Sequence, residues 1–114
     1  RTLLRSGRPA RGQRGENTTL GVIVTNAVLT QAEATVVAEM AHDGFARAIS
    51  PAHTPVDGDA IFALTTGAWT GNAGLLTIGA LAAEVMADAI VRAAKTATGL
   101  PGYPAARDLP AAGQ

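Results

Sequence analysis

The sequence predicts a mixed chain whose elements run in the order β-α-β-α, and three observations carry that reading. Two short apolar stretches, Thr18–Thr25 and Ala60–Thr66, have the length of strands. Two longer stretches place apolar residues three and four apart, the spacing of one helix face. Gly and Pro separate the first helix from the second strand and that strand from the second helix.

In the first strand (TTLGVIVT), Leu20, Val22 and Val24 alternate with Gly21, Ile23 and Thr25, and both sets are largely apolar. That is the pattern of a strand buried on both faces. Gly21 within it predicts a close approach of another backbone. Thr30-Gln-Ala-Glu33 has the spacing of a capping box, in which hydroxyl and carboxylate satisfy free amides at a helix start. Val37, Ala41, Phe45 and Ile49 then recur every four residues, with Val36 and Met40 alongside. They predict an amphipathic helix over 31–49, stopped by Pro51, with Asp43 and Arg47 spaced for an ion pair. After a loop with Pro51, Pro55 and Gly58, AIFALTT reads as a second strand buried on both faces. Gly67 and Gly71 break the chain, and a long helix runs from about Ala73 to Thr98. Its buried stripe is Leu75, Ile78, Ala82, Val85, Met86, Ala89 and Ile90. Its wet face is Glu84, Asp88, Arg92 and Lys95, acids early and bases late as the helix dipole favours. Three units follow: a basic linker over 1–17, a folded part over 18–99 and an irregular tail over 100–114. Two strands cannot make a self-sufficient sheet, so the chain is expected to belong to a larger fold or an obligate assembly.

Composition narrows the chemistry. The 114 residues suit one domain at most, and 47% apolar content argues against disorder for most of them. Nine bases balance nine acids, which removes a whole-chain argument for nucleic acid. The bases are unevenly placed: Arg1, Arg5, Arg8, Arg11 and Arg14 crowd the first 14 residues, without the interleaved aromatics of a nucleic-acid arm. No cysteine means no disulfide scaffold, thiol nucleophile or thiolate metal site. Glu84, Asp88 and Arg92 interrupt the longest apolar run, so no membrane span is expected. Without a secretory signal the expected location is cytoplasmic, and a chain opening on Arg is expected to be a fragment or a processed product.

Two segments concentrate reactive groups. Asn17-Thr18-Thr19 lies where the linker meets a strand. If the chain were cut before Thr18, that residue would carry a free α-amine beside its own Oγ. An α-amine with a pKa of roughly 7.7–8 can take the hydroxyl proton near neutral pH. An ordinary strand-starting threonine is the simpler reading. In His53-Thr-Pro-Val-Asp57-Gly58-Asp59 the two carboxylates fall on one side of an extended backbone. Three readings stay open there: a solvated turn, a hard-metal site short of calcium-loop ligands, or a carboxylate pair orienting an amine or hydroxyl. His42 reads as a packing or surface residue. Neither a Ser-His-Asp set nor a phosphate or dinucleotide loop is present.

Gly15-Glu-Asn-Thr-Thr-Leu-Gly-Val-Ile-Val-Thr25-Asn26, Ala41-His-Asp-Gly44, Ala46-Arg-Ala-Ile49, His53-Thr54 and Asp57-Gly-Asp59 followed by Phe62-Ala-Leu-Thr-Thr stand in a telling order. Together they resemble the C-terminal third of the self-processing DmpA-type aminopeptidases, and within them the 6-aminohexanoate-oligomer (nylon oligomer) hydrolases. The resemblance spans about Gly15 to Lys95. It implies an α+β chain, the C-terminal β-α-β-α portion of an αββα sandwich shared with ornithine acetyltransferases. It implies self-cleavage between Asn17 and Thr18, Thr18 as nucleophile in amide hydrolysis, and Asp57 and Asp59 contacting it. The aminopeptidase branch has hydroxyl-Gly-acid where this chain has Asp57-Gly-Asp59, which favours the oligomer-hydrolase branch. A lysine and an asparagine of the larger, N-terminal chain would complete the site, so this chain alone is expected to be inactive. Arg1–Asn17 joined to Thr18 imply an unprocessed form. The implied partners are that larger chain, further copies in a homo-oligomer, and a small amide or peptide substrate; no metal or organic cofactor is implied. The rival functions are an ornithine acetyltransferase-like acyl transferase, whose Gly- and Met-rich segment before the threonine is replaced here by arginines, and a non-catalytic assembly domain.

Overall fold

A computed structural model describes residues 17–55 and 57–111. The expected basic linker, apart from Asn17, lies outside them. Strand β1 (Asn17–Thr25), helix α1 (Gln31–Ala48), strand β2 (Asp57–Thr65) and helix α2 (Leu75–Thr96) follow in the expected order. The α+β class therefore holds. A 3-10 turn, Ala106–Asp108, gives the tail more order than its composition suggests.

Each element forms for a local reason. The capping box at the start of α1 is complete: the Glu33 N–H donates to Thr30 Oγ1 at 3.2 Å, and the Thr30 N–H donates to the Glu33 carboxylate at 2.9 Å. The Asp43–Arg47 pair does not form, because both side chains lie on the exposed face, where solvated ions gain little from meeting. Helix α2 spans 75–96, within the expected 73–98. Beyond its end the Arg107 guanidinium donates to the Thr96 carbonyl at 2.5 Å, satisfying one of the free C-terminal carbonyls.

β1 and β2 pair in parallel through the α1 crossover, in register from Asn17↔Asp57 to Thr25↔Thr65. Both helices lie on one face of this two-stranded sheet. Val37, Ala41 and Phe45 of α1 and Ala82 and Met86 of α2 close over Ile23, with Ile61 and Ala63 packed against them. Gly21 permits this, though another backbone does not approach it as expected. A Cβ there would meet Met86 Cε at 2.7 Å and Phe45 Cζ at 3.1 Å. The helices themselves touch at Gly44, where a Cβ would fall 2.6 Å from the Ala83 carbonyl oxygen.

The expectation that both strands are covered on both faces is not met among the described residues. Leu20, Val22, Val24, Phe62 and Leu64 all point away from the helices and are 68, 58, 67, 61 and 53% exposed. Two helices can cover only the face they sit on. At about 1.5–3 kcal/mol for each fully buried side chain, this exposure forgoes on the order of 5 kcal/mol, comparable with the whole stability of a small domain. The α2 stripe is narrower than expected for the same reason. Ala82 and Met86 are buried and Leu75, Ile78 and Ile90 partly so, but Val85 and Ala89 face outward, as does Val36 on α1. Among the described residues no helix is long and apolar enough to cross a membrane.

Residues 1–114 expressed alone are expected to associate, since this open face is apolar and its strand edges are unpaired. Light scattering should show this, and Val22→Lys with Phe62→Lys should shift the isolated chain towards monomer while destabilising the full-length protein. At the helix contact, Gly44→Ala is expected to lower the melting temperature. Overpacking costs about 1–3 kcal/mol, against a helix-propensity gain of at most about 1 kcal/mol. Gly58→Ala, with nothing within 4 Å of the new Cβ, should leave melting unchanged.

Candidate active site

β2 starts at Asp57, three residues earlier than the apolar pattern predicts, so Asp57, Gly58 and Asp59 belong to the strand and not to the loop before it. Main-chain pairing recruits them: they take Asn17, Thr18 and Thr19 as their partners on β1. Thr18 thus faces Gly58 across the ladder, with Asp57 and Asp59 flanking that position along the neighbouring strand. All the residues singled out for chemistry meet at one end of the sheet.

Side-chain alternation divides them. Thr19, Asp57 and Asp59 share the face that the helices cover, whereas Thr18 shares the open face with Leu20 and Val22. While the strand runs unbroken through Asn17, the Thr18 backbone lies between the two acids but its hydroxyl points to the other side. The pairing of Thr19 with Asp59 is not legible in the sequence, because it depends on the register.

The acids are held differently. Asp57 donates its N–H to the Thr54 carbonyl at 3.3 Å, and its carboxylate atom Oδ1 is buried with no hydrogen-bond partner among the described residues. Asp59 is nearly enclosed, its side chain 8% exposed, and its two polar side-chain contacts among the described residues come from His53. The His53 N–H donates to Asp59 Oδ2 at 3.1 Å, and Nδ1 lies 2.5 Å from the same oxygen. A carboxylate only accepts, so a proton on Nδ1 would make this contact a second hydrogen bond. His53 makes both contacts from the left-handed region, at φ 55°. His42 comes up beside it from α1, ring centroids 5.2 Å apart, and packs edge-on against Phe45 at 5.5 Å. Of the packing and surface readings of His42, the structure favours packing, and its Nδ1 is buried without a partner among the described residues. The His53–Asp59 contact has no signal in the sequence, because the loop must fold back onto the strand before the two can meet.

Among the described residues no group of three or more His, Cys, Asp or Glu side chains is arranged to hold a metal ion. An apolar groove of about 360 Å³ runs along the free edge of β1, lined by Val22, Val24, Trp69, Ile78 and Leu81. It lies toward the other end of the strand from the acids.

The arrangement sets the Thr18 backbone between two acids, with the Thr18 side chain on the opposite face of the sheet. Comparison with known proteins agrees with the motifs that bracket it: the sequence profile of Peptidase family S58 matches residues 2–107. The chain belongs to Peptidase family S58. It is 42% identical over 106 residues to an uncharacterized aminopeptidase of Mycobacterium tuberculosis, covering 82% of this chain and 31% of that protein. To an uncharacterized aminopeptidase of Mycobacterium leprae it is 44% identical over 103 residues, covering 76% and 28%. A 6-aminohexanoate-oligomer endohydrolase of a Kocuria species is 39% identical over 90 residues, covering 69% and 25%. The chain therefore spans between a quarter and a third of the length of these S58 relatives.

Proposed function

We propose that this chain is the nucleophile-bearing part of a self-processing amide hydrolase in which cleavage after Asn17 frees Thr18. The observation that carries this reading is the register: Thr18 faces Gly58, between two acids, one of which keeps a buried oxygen without a partner.

The chemistry runs twice through the same hydroxyl. Thr18 Oγ attacks the Asn17 carbonyl carbon, the Asn17–Thr18 C–N bond breaks, and the nitrogen takes up a proton as the new α-amine. Water then hydrolyses the ester and releases Asn17 as a carboxylate. Cutting also detaches Thr18 from Asn17, the residue paired with Asp57 that continues the strand before it, so the new terminus is free to turn its amine and hydroxyl toward Asp57 and Asp59. In the second round the α-amine accepts the hydroxyl proton and Oγ attacks a substrate amide. The amine product leaves with that proton, and water resolves the acyl ester. Asp57 Oδ1 is the acceptor for the terminal ammonium, and Asp59 fixes the hydroxyl.

The rest of the precursor completes the site. Before cleavage the Thr18 hydroxyl faces the open apolar side, and the chain spans less than a third of its relatives. The missing larger chain covers Leu20, Val22, Val24, Phe62 and Leu64 and brings the groups that polarise the scissile carbonyl. The substrate class is a small peptide or linear oligoamide, in keeping with relatives named aminopeptidase and 6-aminohexanoate-oligomer endohydrolase.

In the full-length protein Thr18→Ala should leave one uncut chain on a denaturing gel. Thr18→Ser should still cut, and terminal sequencing of its smaller product should then begin at the substituted position. Cleavage persisting in the alanine variant would sink the assignment. Asp57→Asn is expected to lower amide hydrolysis by about 10²–10⁴-fold, the scale of a lost acid–base partner, with the fold retained. EDTA should leave the wild type unaffected; loss of activity restored by a divalent ion would replace the carboxylate-pair role with a metal site.

A further inference from the structure

We infer that His53 is a positioning residue, holding the Asp59 carboxylate in the one orientation that serves Thr18; this rests on the function proposed above. Two nitrogens of His53, the donating main-chain N–H and ring Nδ1 at 2.5 Å, converge on a single oxygen, Asp59 Oδ2. Two contacts from one residue to one oxygen restrain the carboxylate from rotating and leave Oδ1 for another donor. An exposed histidine–carboxylate pair would be worth little, but here the acid is nearly enclosed while the histidine ring is 45% exposed, so the ring lies over Asp59 on its solvent side.

The histidine is itself braced. A non-glycine residue in the left-handed region is uncommon, although histidine tolerates it better than most, and it persists where surrounding contacts enforce it. The ring of His42 packs against the His53 ring, and Phe45, 1% exposed, supports His42 in turn. A continuous line of contacts thus runs from the core through His42 and His53 to Asp59. Misplacing a reacting group by about 1 Å can cost about 10²-fold in rate, so an acid held this closely has an effect out of proportion to its hydrogen bonds.

The alternative is that His53 only shapes the loop. Two substitutions in the full-length, processed protein separate these roles. His53→Gly keeps the left-handed backbone and the main-chain donor and removes only the ring. His53→Asn also tolerates that backbone and offers a side-chain N–H close to where Nδ1 stood. With alanine p-nitroanilide and a linear 6-aminohexanoate oligomer as probes, His53→Gly should lower kcat by about 10²-fold, leaving KM and melting temperature near wild type, and His53→Asn should restore most of the loss. The double variant with Asp59→Asn should be no slower than Asp59→Asn alone, because His53 acts through that acid. Independently of any substrate, ring ¹⁵N spectra should show His53 protonated at Nδ1 at neutral pH, with the signal shifting in Asp59→Asn. Wild-type kcat in His53→Gly beside an impaired Asp59→Asn, or an unprotonated Nδ1, would overturn the inference and spare the proposed function. Full activity in Asp59→Asn would instead remove the role proposed for that acid, and this inference with it.

Discussion

The parallel ladder between β1 and β2 is the constraint on which everything else in this chain rests. Its register decides which residues share a face, and because side chains alternate with period two, a shift of a single residue would reverse them all. In the observed register Ile23, Ile61 and Ala63 meet the helices. The same pairing carries Thr18 to Gly58 and sets the acids on either side of that position. Core and candidate site are thus two ends of one hydrogen-bonded ribbon. The core fixes the ribbon, and the ribbon fixes the site.

The helices hold the ladder from one side only. Phe45 and Met86 reach Gly21 from α1 and α2, and the backbone contact at Gly44 lets the two helices close over the same strands. On the other side, five large apolar side chains stay more than half exposed. An apolar sheet face of this extent is the mark of a layer built to be covered. The chain that carries it is a quarter to a third as long as its S58 relatives, and the function proposed above assigns the cover to the rest of the precursor.

At the acid end the structure combines a firm scaffold with a gap. Asp59 is contacted twice by a histidine braced against the core, while Asp57 keeps a buried oxygen without a partner among the described residues. Buried polar atoms without partners are costly and therefore informative. The function proposed above uses that oxygen as the acceptor for a terminal ammonium, with the threonine backbone facing Gly58 between the two acids.

Much of this was legible in the sequence because its cause is local. The capping box at Thr30 and Glu33, the fourfold spacing of Val37, Ala41 and Phe45, and the two strands all depend on neighbours a few residues away. The motif order around Thr18 and Asp57-Gly-Asp59 pointed to the family for the same reason. Apolar residues on both faces of each strand predicted burial on both sides, but not that the described residues cover only one of them. The earlier start of β2 at Asp57, the opposite faces of Thr18 and the acids, and the reach of His53 back to Asp59 were decided by tertiary structure alone. Each depends on contacts between segments that the chain separates, one strand against another beyond an intervening helix, or a loop folding onto a strand. No local periodicity encodes where a second strand begins to pair or which oxygen a loop histidine will find.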